Sequence, residues 1–244
     1  MLREEWEALS SVFSFFTRLP LQPREFRLER GVLYLPLVGL FIGGVCLLLI
    51  KGFSPLLKPP LLAFVVLVTS YWLADYFHFD GLIDTVDALA AGGDPKRRLT
   101  ILKTPEVGAL GLLFAFFFLL GEYLLACELL KEGQSLVFGL RPVVGRQSLA
   151  LLALLGEPAK RQGLGSLFLS TSRRRLRMIQ LIWLPLLFLA PLPSSSCILL
   201  VLFLRTKFKR SFSGITGDLL GATVMLAQWL FLMVSLVGGQ IPAW

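Results

Sequence analysis

The chain is poor in the residues that most soluble enzymes use for solvation and for chemistry. Of its 244 residues only 16% are charged, one is histidine and three are cysteine. A lone histidine and the lack of any Cys-x-x-Cys pair leave little basis for a zinc site. Cys46, Cys127 and Cys197 each sit inside an apolar stretch, so they read as small buried hydrophobes rather than as disulfide partners or metal ligands. No Gly-x-x-x-x-Gly-Lys-Ser/Thr run occurs, and ATP-driven transport through a P-loop is therefore not supported. No secretory signal is read at the start, which is polar and charged, with an apolar run near Phe13 too short for an h-region.

What is abundant is apolar surface. Hydrophobic residues make up 55% of the chain and the mean hydropathy is +0.74. Soluble domains run near about 25% charged, so this balance suits lipid as the solvent. The net charge is +8. Its basic residues lie in short runs beside apolar segments, where they fix membrane orientation and attract anionic lipid or phosphorylated substrates. A nucleic-acid partner is set aside on that ground. The expected fold is all-α: a polytopic membrane helical bundle forming a single integral-membrane domain over 1–244.

Seven spans are expected, at 32–51, 60–79, 108–129, 135–156, 177–192, 194–205 and 219–238. The first carries Gly39 and Gly43, a small-xxx-small pair that lets another helix approach closely. Leu2, Trp6, Leu9, Phe13 and Phe16 recur at spacings of three or four, which predicts an N-terminal helix lying on the membrane surface. The charge rule orients the bundle. Arg3, Arg18, Arg24, Arg27 and Arg30 place the N-terminus in the cytoplasm. Later basic clusters, at Lys96–Lys103, Lys160–Arg177 and Arg205–Arg210, alternate with poorly charged loops as seven spans require. Residues 194–205 are the weak link, because 12 helical residues reach only about 18 Å against a ~30 Å hydrocarbon core. The cell (inner) membrane is the expected location, with membrane lipid as the surroundings and the acidic site facing the cytoplasm. The sequence fixes no oligomeric state; a homo-oligomer is compatible with it.

The stretch from Asp75 to Lys103 is the least explicable by packing. Asp80, Asp84 and Asp87 fall at i, i+4 and i+7, so a helix puts all three carboxylates on one face. A charge at the bilayer centre costs about 2.5–3.5 kcal/mol on insertion scales, so three facing lipid is prohibitive. They must reach water, a cation or both, and oxygen-only ligands suit a hard cation such as magnesium. The bland alternative is a solvated acidic helix end capped by Asp80. His78 is read either as a hydrogen-bonded structural side chain or as a group that orients a carboxylate or moves a proton. Further on, Lys209 and Arg210 precede Gly214, Thr216, Gly217 and Asp218, a plausible phosphate cradle at a helix N-terminus. Asp218 is either that helix's N-cap or a further metal ligand. Arg141 and Arg146 lie within the fourth expected span with Pro142 between them, where they face a polar cavity or mark a span that is re-entrant or shorter.

These residues, taken in order, resemble the cobalamin synthase (adenosylcobinamide-GDP ribazoletransferase) family. The resemblance rests on Phe15-Phe16-Thr17-Arg18-Leu19-Pro20, Leu35-Pro36-Leu37-Val38-Gly39, His78-x-Asp80-Gly81-x-x-Asp84-x-x-Asp87-Ala88, Lys103 with Gly108-Ala109-x-Gly111, Arg146, Gly163-Leu164-Gly165 and Gly214-x-Thr216-Gly217-Asp218-x-x-Gly221-Ala222. It implies a magnesium-dependent membrane enzyme. Its substrates would be adenosylcobinamide-GDP and α-ribazole or the 5′-phosphate of α-ribazole, and GMP would be released in a late step of cobalamin biosynthesis. It further implies Asp80, Asp84, Asp87 and Asp218 as ligands of Mg2+, with Asp80, Asp84, Asp87 and His78 at the chemistry. Arg18, Gly81, Lys103, Arg146, Gly214, Thr216 and Gly217 would serve substrate binding. The chain departs from the family pattern at Thr104, followed by Pro105 and Glu106, and at Met225 and Gln228, where acids are expected. Two alternatives stand beside it. A CDP-alcohol phosphotransferase needs Ala-Arg after the first Asp-Gly pair, where this chain has Asp84-Thr85. A secondary transporter with an Asp-lined cation site commonly shows internal repeats, and no clear repeat is found.

Overall fold

The computed structural model describes residues 2–159, 168–169 and 171–238. Lys160, Arg161 and the Gly163, Leu164, Gly165 block lie outside the described residues. Helix α1 is Leu2–Phe16, a one-turn α2 is Leu28–Gly31, and a 3-10 turn, Val32–Tyr34, leads directly into α3, Leu35–Phe53. The second rod starts as α4, Pro59–Ser70, passes through a π-helical turn at Tyr71–Asp75 and continues as α5, Tyr76–Ala90. There follow α6 (Pro95–Ile101), α7 (Ala109–Lys131), α8 (Ser135–Leu155), α9 (Arg173–Ile179), α10 (Trp183–Leu189), α11 (Pro191–Phe212) and α12 (Gly217–Val237).

Among the described residues five helical rods are long and apolar enough to cross a membrane: Leu28–Phe53, Pro59–Ala90, Ala109–Lys131, Ser135–Leu155 and Gly217–Val237. The two other expected spans take a different form. Arg173–Leu189 is broken by a 3-10 turn at Gln180–Ile182. The segment expected at 194–205 is only the middle of α11, whose 22 residues rise about 33 Å at 1.5 Å each. The basic residues from Arg205 to Arg210 had hidden its last two turns, since a charged run does not look like a span. Ala190 (φ −142°, ψ 71°) leaves helical geometry between α10 and α11, and Pro191 starts the new helix at a position where its missing N–H is no loss.

Helix α8 is the centre of the bundle, with 89% of its apolar window buried. It runs unbroken through Pro142, so it is neither re-entrant nor shortened. Helix α3 lies against it backbone to backbone. A Cβ added at Gly39 would come 2.7 Å from the Val143 Cα, and one at Gly43 would strike the Gly139 carbonyl. In lipid, where apolar attraction between helices is weak, such close approach is what holds helices together.

The rod Pro59–Ala90 has 32 residues, about 48 Å, which exceeds a ~30 Å hydrocarbon core. A straight rod of that length exceeds the apolar layer, and the half that carries Asp80, Asp84 and Asp87 is its polar one. Three hydrogen bonds gather the basic segments at one end of the bundle. Arg98 Nη1 donates to the Ser211 carbonyl (3.1 Å), Arg205 Nε to the Leu155 carbonyl (2.8 Å) and Arg175 Nη1 to the Glu29 carbonyl (3.5 Å). Helix α1 packs on this assembly through buried Ala8, Val12 and Phe16, while Trp6 stays 59% exposed. Its Glu4 and Glu5 pair with Arg30, and Tyr34 donates to Glu5 Oε2 at 2.6 Å.

Candidate active site at the crossing of α5, α7 and α12

Asp80 lies inside α5, a turn past its start, so it caps nothing, and the acidic-cap alternative falls. Asp80 is exposed, while Asp84 and Asp87 are half-buried. The charges of Asp80, Asp218 and Asp87 all act on Asp84, which stands at the centre of the acidic group. Asp218 is brought there by the crossing of α12 over α5. A Cβ added at Gly81 would meet the Asp218 carbonyl oxygen at 2.8 Å, and one at Gly221 would meet His78 Cα at 3.1 Å. Glycine at both positions is what lets the two backbones touch.

The N-cap of α12 is Thr216, whose Oγ1 accepts from the Leu219 N–H at 3.4 Å. Asp218 is the second residue of the helix and accepts from the Thr216 hydroxyl at 3.4 Å. The turn before it is pinned by residues 157–159: Ala159 N–H donates to the Ile215 carbonyl (2.9 Å) and Ile215 N–H to the Glu157 carbonyl (2.8 Å). Gly214 has φ +152°, and a Cβ there would meet the Ala159 amide nitrogen at 2.6 Å. Its role in the turn is thus a close approach of two backbones.

Asp87 has a task of its own. Its Oδ2 accepts from the Gly108 N–H at 2.8 Å and its Oδ1 from the Gly111 N–H at 2.7 Å. These are amides at the start of α7, whose own cap residue, Gly108, has no side chain to satisfy them. A Cβ on either glycine would collide with this carboxylate. Each Asp87 oxygen keeps a further lone pair for another partner. Lys103 is exposed in the loop just before this point.

Other expected site residues lie elsewhere. His78 is 1% exposed, with Phe77 and Phe16 rings at 4.0 and 5.7 Å, and its Nε2 has no hydrogen-bond partner among the described residues. It faces the α12 backbone rather than the carboxylates. Arg146 is fully buried and donates through Nη2 to Asp75 Oδ1 at 2.8 Å. Asp75 also accepts from Ser70 Oγ (2.9 Å) and Gln228 Nε2 (3.5 Å). Next to it, Arg141 donates to Glu122, which also accepts from Tyr71 Oη at 2.7 Å. Arg18 leaves α1's end, donates its N–H to the Leu73 carbonyl at 2.8 Å, and sets its guanidinium over Tyr76.

This buried quartet of Asp75, Arg146, Glu122 and Arg141, with Tyr71 and Gln228, was missed by pattern reading as a unit. A signal existed: Glu122 is an acid in the middle of an apolar span, and such a residue demands a partner. The partner's identity depends on how three helices meet.

Oxygen donors alone, from Asp80, Asp84, Asp87 and Asp218, are chemically suited to a hard divalent cation. Among the described residues no three His, Cys, Asp or Glu side chains are already gathered at ligand spacing. The donor set fits magnesium, which takes few protein carboxylates and relies on water and substrate phosphate for the rest.

Fold and site define a multi-pass helical membrane protein whose exposed chemistry is a carboxylate group contributed by two crossing helices. The particular kind follows from comparison. The model of the cobalamin-5-phosphate synthase family matches residues 8–236, and the chain belongs to that family. Among its relatives are proteins named adenosylcobinamide-GDP ribazoletransferase from Thermodesulfovibrio yellowstonii and Desulfitobacterium hafniense. The first is 30% identical, covering 93% of this chain and 95% of the relative. The second is 34% identical, covering 95% and 96%. No solved structure matches the chain.

Proposed function

We propose that this chain transfers the adenosylcobinamide-phosphate group of adenosylcobinamide-GDP to α-ribazole or the 5′-phosphate of α-ribazole, and releases GMP. The observation that carries the reading is a carboxylate group built from two helices in a chain of this family, set at the end of the bundle where the basic segments collect. A ribose hydroxyl of the acceptor attacks the phosphorus attached to cobinamide. The new O–P bond forms as the P–O bond to GMP breaks in line, and the hydroxyl proton passes to a carboxylate. Asp80 or Asp84 takes that proton, because Asp80 is exposed and Asp84 half-buried whereas His78 is buried against α12. Asp80, Asp84 and Asp218, with the free lone pairs of Asp87, would hold magnesium. When bound, Mg2+ supplies charge neutralisation on the diphosphate and its leaving oxygen. Lys103 and the turn from Gly214 to Gly217 face the remaining phosphate charge. Arg146 has its charge balanced by Asp75 and acts from behind, by fixing where α5 begins.

In the topology we propose, seven segments cross the inner membrane, with the N-terminus and the acidic site on the cytoplasmic side. Support comes from the basic runs, which the hydrogen bonds to Ser211, Leu155 and Glu29 bring to one end. Detergent-solubilised protein separates enzyme from transporter, since a transporter needs a sealed membrane to act. GMP release that requires both adenosylcobinamide-GDP and the acceptor is expected; its absence from folded protein overturns the reading.

A further inference from the structure

A groove of about 610 Å³ opens on the flank of the bundle between the α4–α5 rod and α7. Its walls include Phe64, Trp72, Tyr76, Phe79, Phe116 and Leu120. A crease of this kind in a membrane protein usually holds lipid tails, and two observations set this one apart. The first is a cation at its edge. The Arg18 guanidinium lies 4.5 Å from the Tyr76 ring centre and 5.7 Å from that of Trp72. Its backbone is tied to the Leu73 carbonyl, so the loop is anchored at this point. Among the described residues no carboxylate pairs with Arg18. Aromatic faces hold such a guanidinium while leaving its N–H edge for an anion.

The second observation is that the groove and the acidic site share a helix face. Tyr76, Asp80 and Asp84 follow one another at intervals of four along α5, so the Tyr76 wall of the groove and these two carboxylates share one face of that helix. The rise from Tyr76 to Asp80 is about 6 Å, the reach from a nucleoside base to its sugar hydroxyls. The volume is that of a pocket for a small organic ligand, typically about 300–1,000 Å³.

We propose that this groove is the acceptor subsite: it takes the flat, apolar benzimidazole of ribazole between aromatic side chains, and Arg18 takes the 5′-phosphate when the acceptor carries one. The ribose hydroxyl then points along α5 towards Asp80. The assignment rests on the reaction proposed above. A corrinoid fits this place poorly, because its rim of amides would meet an almost wholly apolar lining, and a lipid tail would leave Arg18 serving only a headgroup.

Initial rates of GMP release by the full chain in lipid nanodiscs test it, with each acceptor varied at saturating adenosylcobinamide-GDP. Tyr76→Ala and Trp72→Ala are expected to raise KM for both acceptors about tenfold or more, the scale of one lost base–aromatic stack, with KM for adenosylcobinamide-GDP unmoved. Arg18→Gln is expected to raise KM for the phosphorylated acceptor about tenfold more than for the unphosphorylated one. Binding without turnover gives a second readout: ribazole added alone quenches tryptophan fluorescence in wild type, and Trp72→Phe, which keeps a ring in place, removes most of that quenching. Unchanged acceptor KM in folded, active variants overturns the assignment while leaving the reaction standing. So does a defect that a change of lipid composition repairs, which marks a lipid groove. Ribazole-dependent quenching that survives Trp72→Phe also overturns it. Failure of wild type to release GMP overturns the reaction itself, and the subsite with it.

Discussion

Asp87 illustrates how one side chain of the acidic face is fixed by residues far along the chain. Its two oxygens receive the Gly108 and Gly111 amides, and both glycines are needed because any Cβ would occupy the carboxylate's place. Gly111→Ala therefore displaces Asp87, breaks both bonds and unties the start of α7. A loss of about 1–3 kcal/mol is expected from a partner left unsatisfied, read as a lowered thermal midpoint in detergent together with reduced GMP release. Gly44→Ala is the control, since no atom lies within 4 Å of its added Cβ, and it should leave the midpoint unchanged. The spacing of Asp80, Asp84 and Asp87 was legible in the sequence because helical periodicity is local. What each carboxylate touches was not. Asp218 could be read as a cap or a ligand until Thr216 was seen to hold the cap, and His78 gave no sign that it faces Gly221 rather than the carboxylates.

The π-helical turn at Tyr71–Asp75 sets the rotation of α5, and a buried ion network holds that turn. Asp75 is tied to α8 through Arg146, to α12 through Gln228 and to α4 through Ser70. Both arginines and both acids of the quartet are within 1% of full burial. Removing one charge of such a pair strands the other, at a cost of about 3–5 kcal/mol, whereas replacing both with uncharged groups of similar size is far milder. Asp75→Asn is expected to destabilise strongly in a detergent unfolding assay. Combining it with Arg146→Met should recover most of the loss; a double variant as unstable as the single one contradicts the pairing. At this scale hydropathy revealed the long apolar rods, and it failed in two places for physical reasons. Helix α11 ends in a charged run that lowers its apparent hydropathy. Pro142 looked like an interruption, yet α8 continues through it with its neighbours packed on all sides.

For the whole molecule, the basic segments are an orientation signal in the sequence, and the structure draws them together at one end of the bundle. Their side of the membrane is open to direct test. Cys46, Cys127 and Cys197 are buried and free, so they give little background to a thiol reagent. A membrane-impermeant maleimide should label Ser54→Cys in intact cells and Thr100→Cys only after permeabilisation; the reverse pattern overturns the proposed orientation. The groove and the acidic site were not legible in any pattern, because each is built by helices distant in sequence. The central claim is that α5 and α12 together build a metal-dependent transfer site. The most direct test is GMP release by purified protein across a magnesium titration, comparing wild type with Asp84→Asn and Asp218→Asn. Release is expected to require Mg2+ and to fall on the order of 10²-fold in either variant, as when one preorganised electrostatic group is lost. Near-wild-type release by either folded variant at limiting magnesium would contradict it.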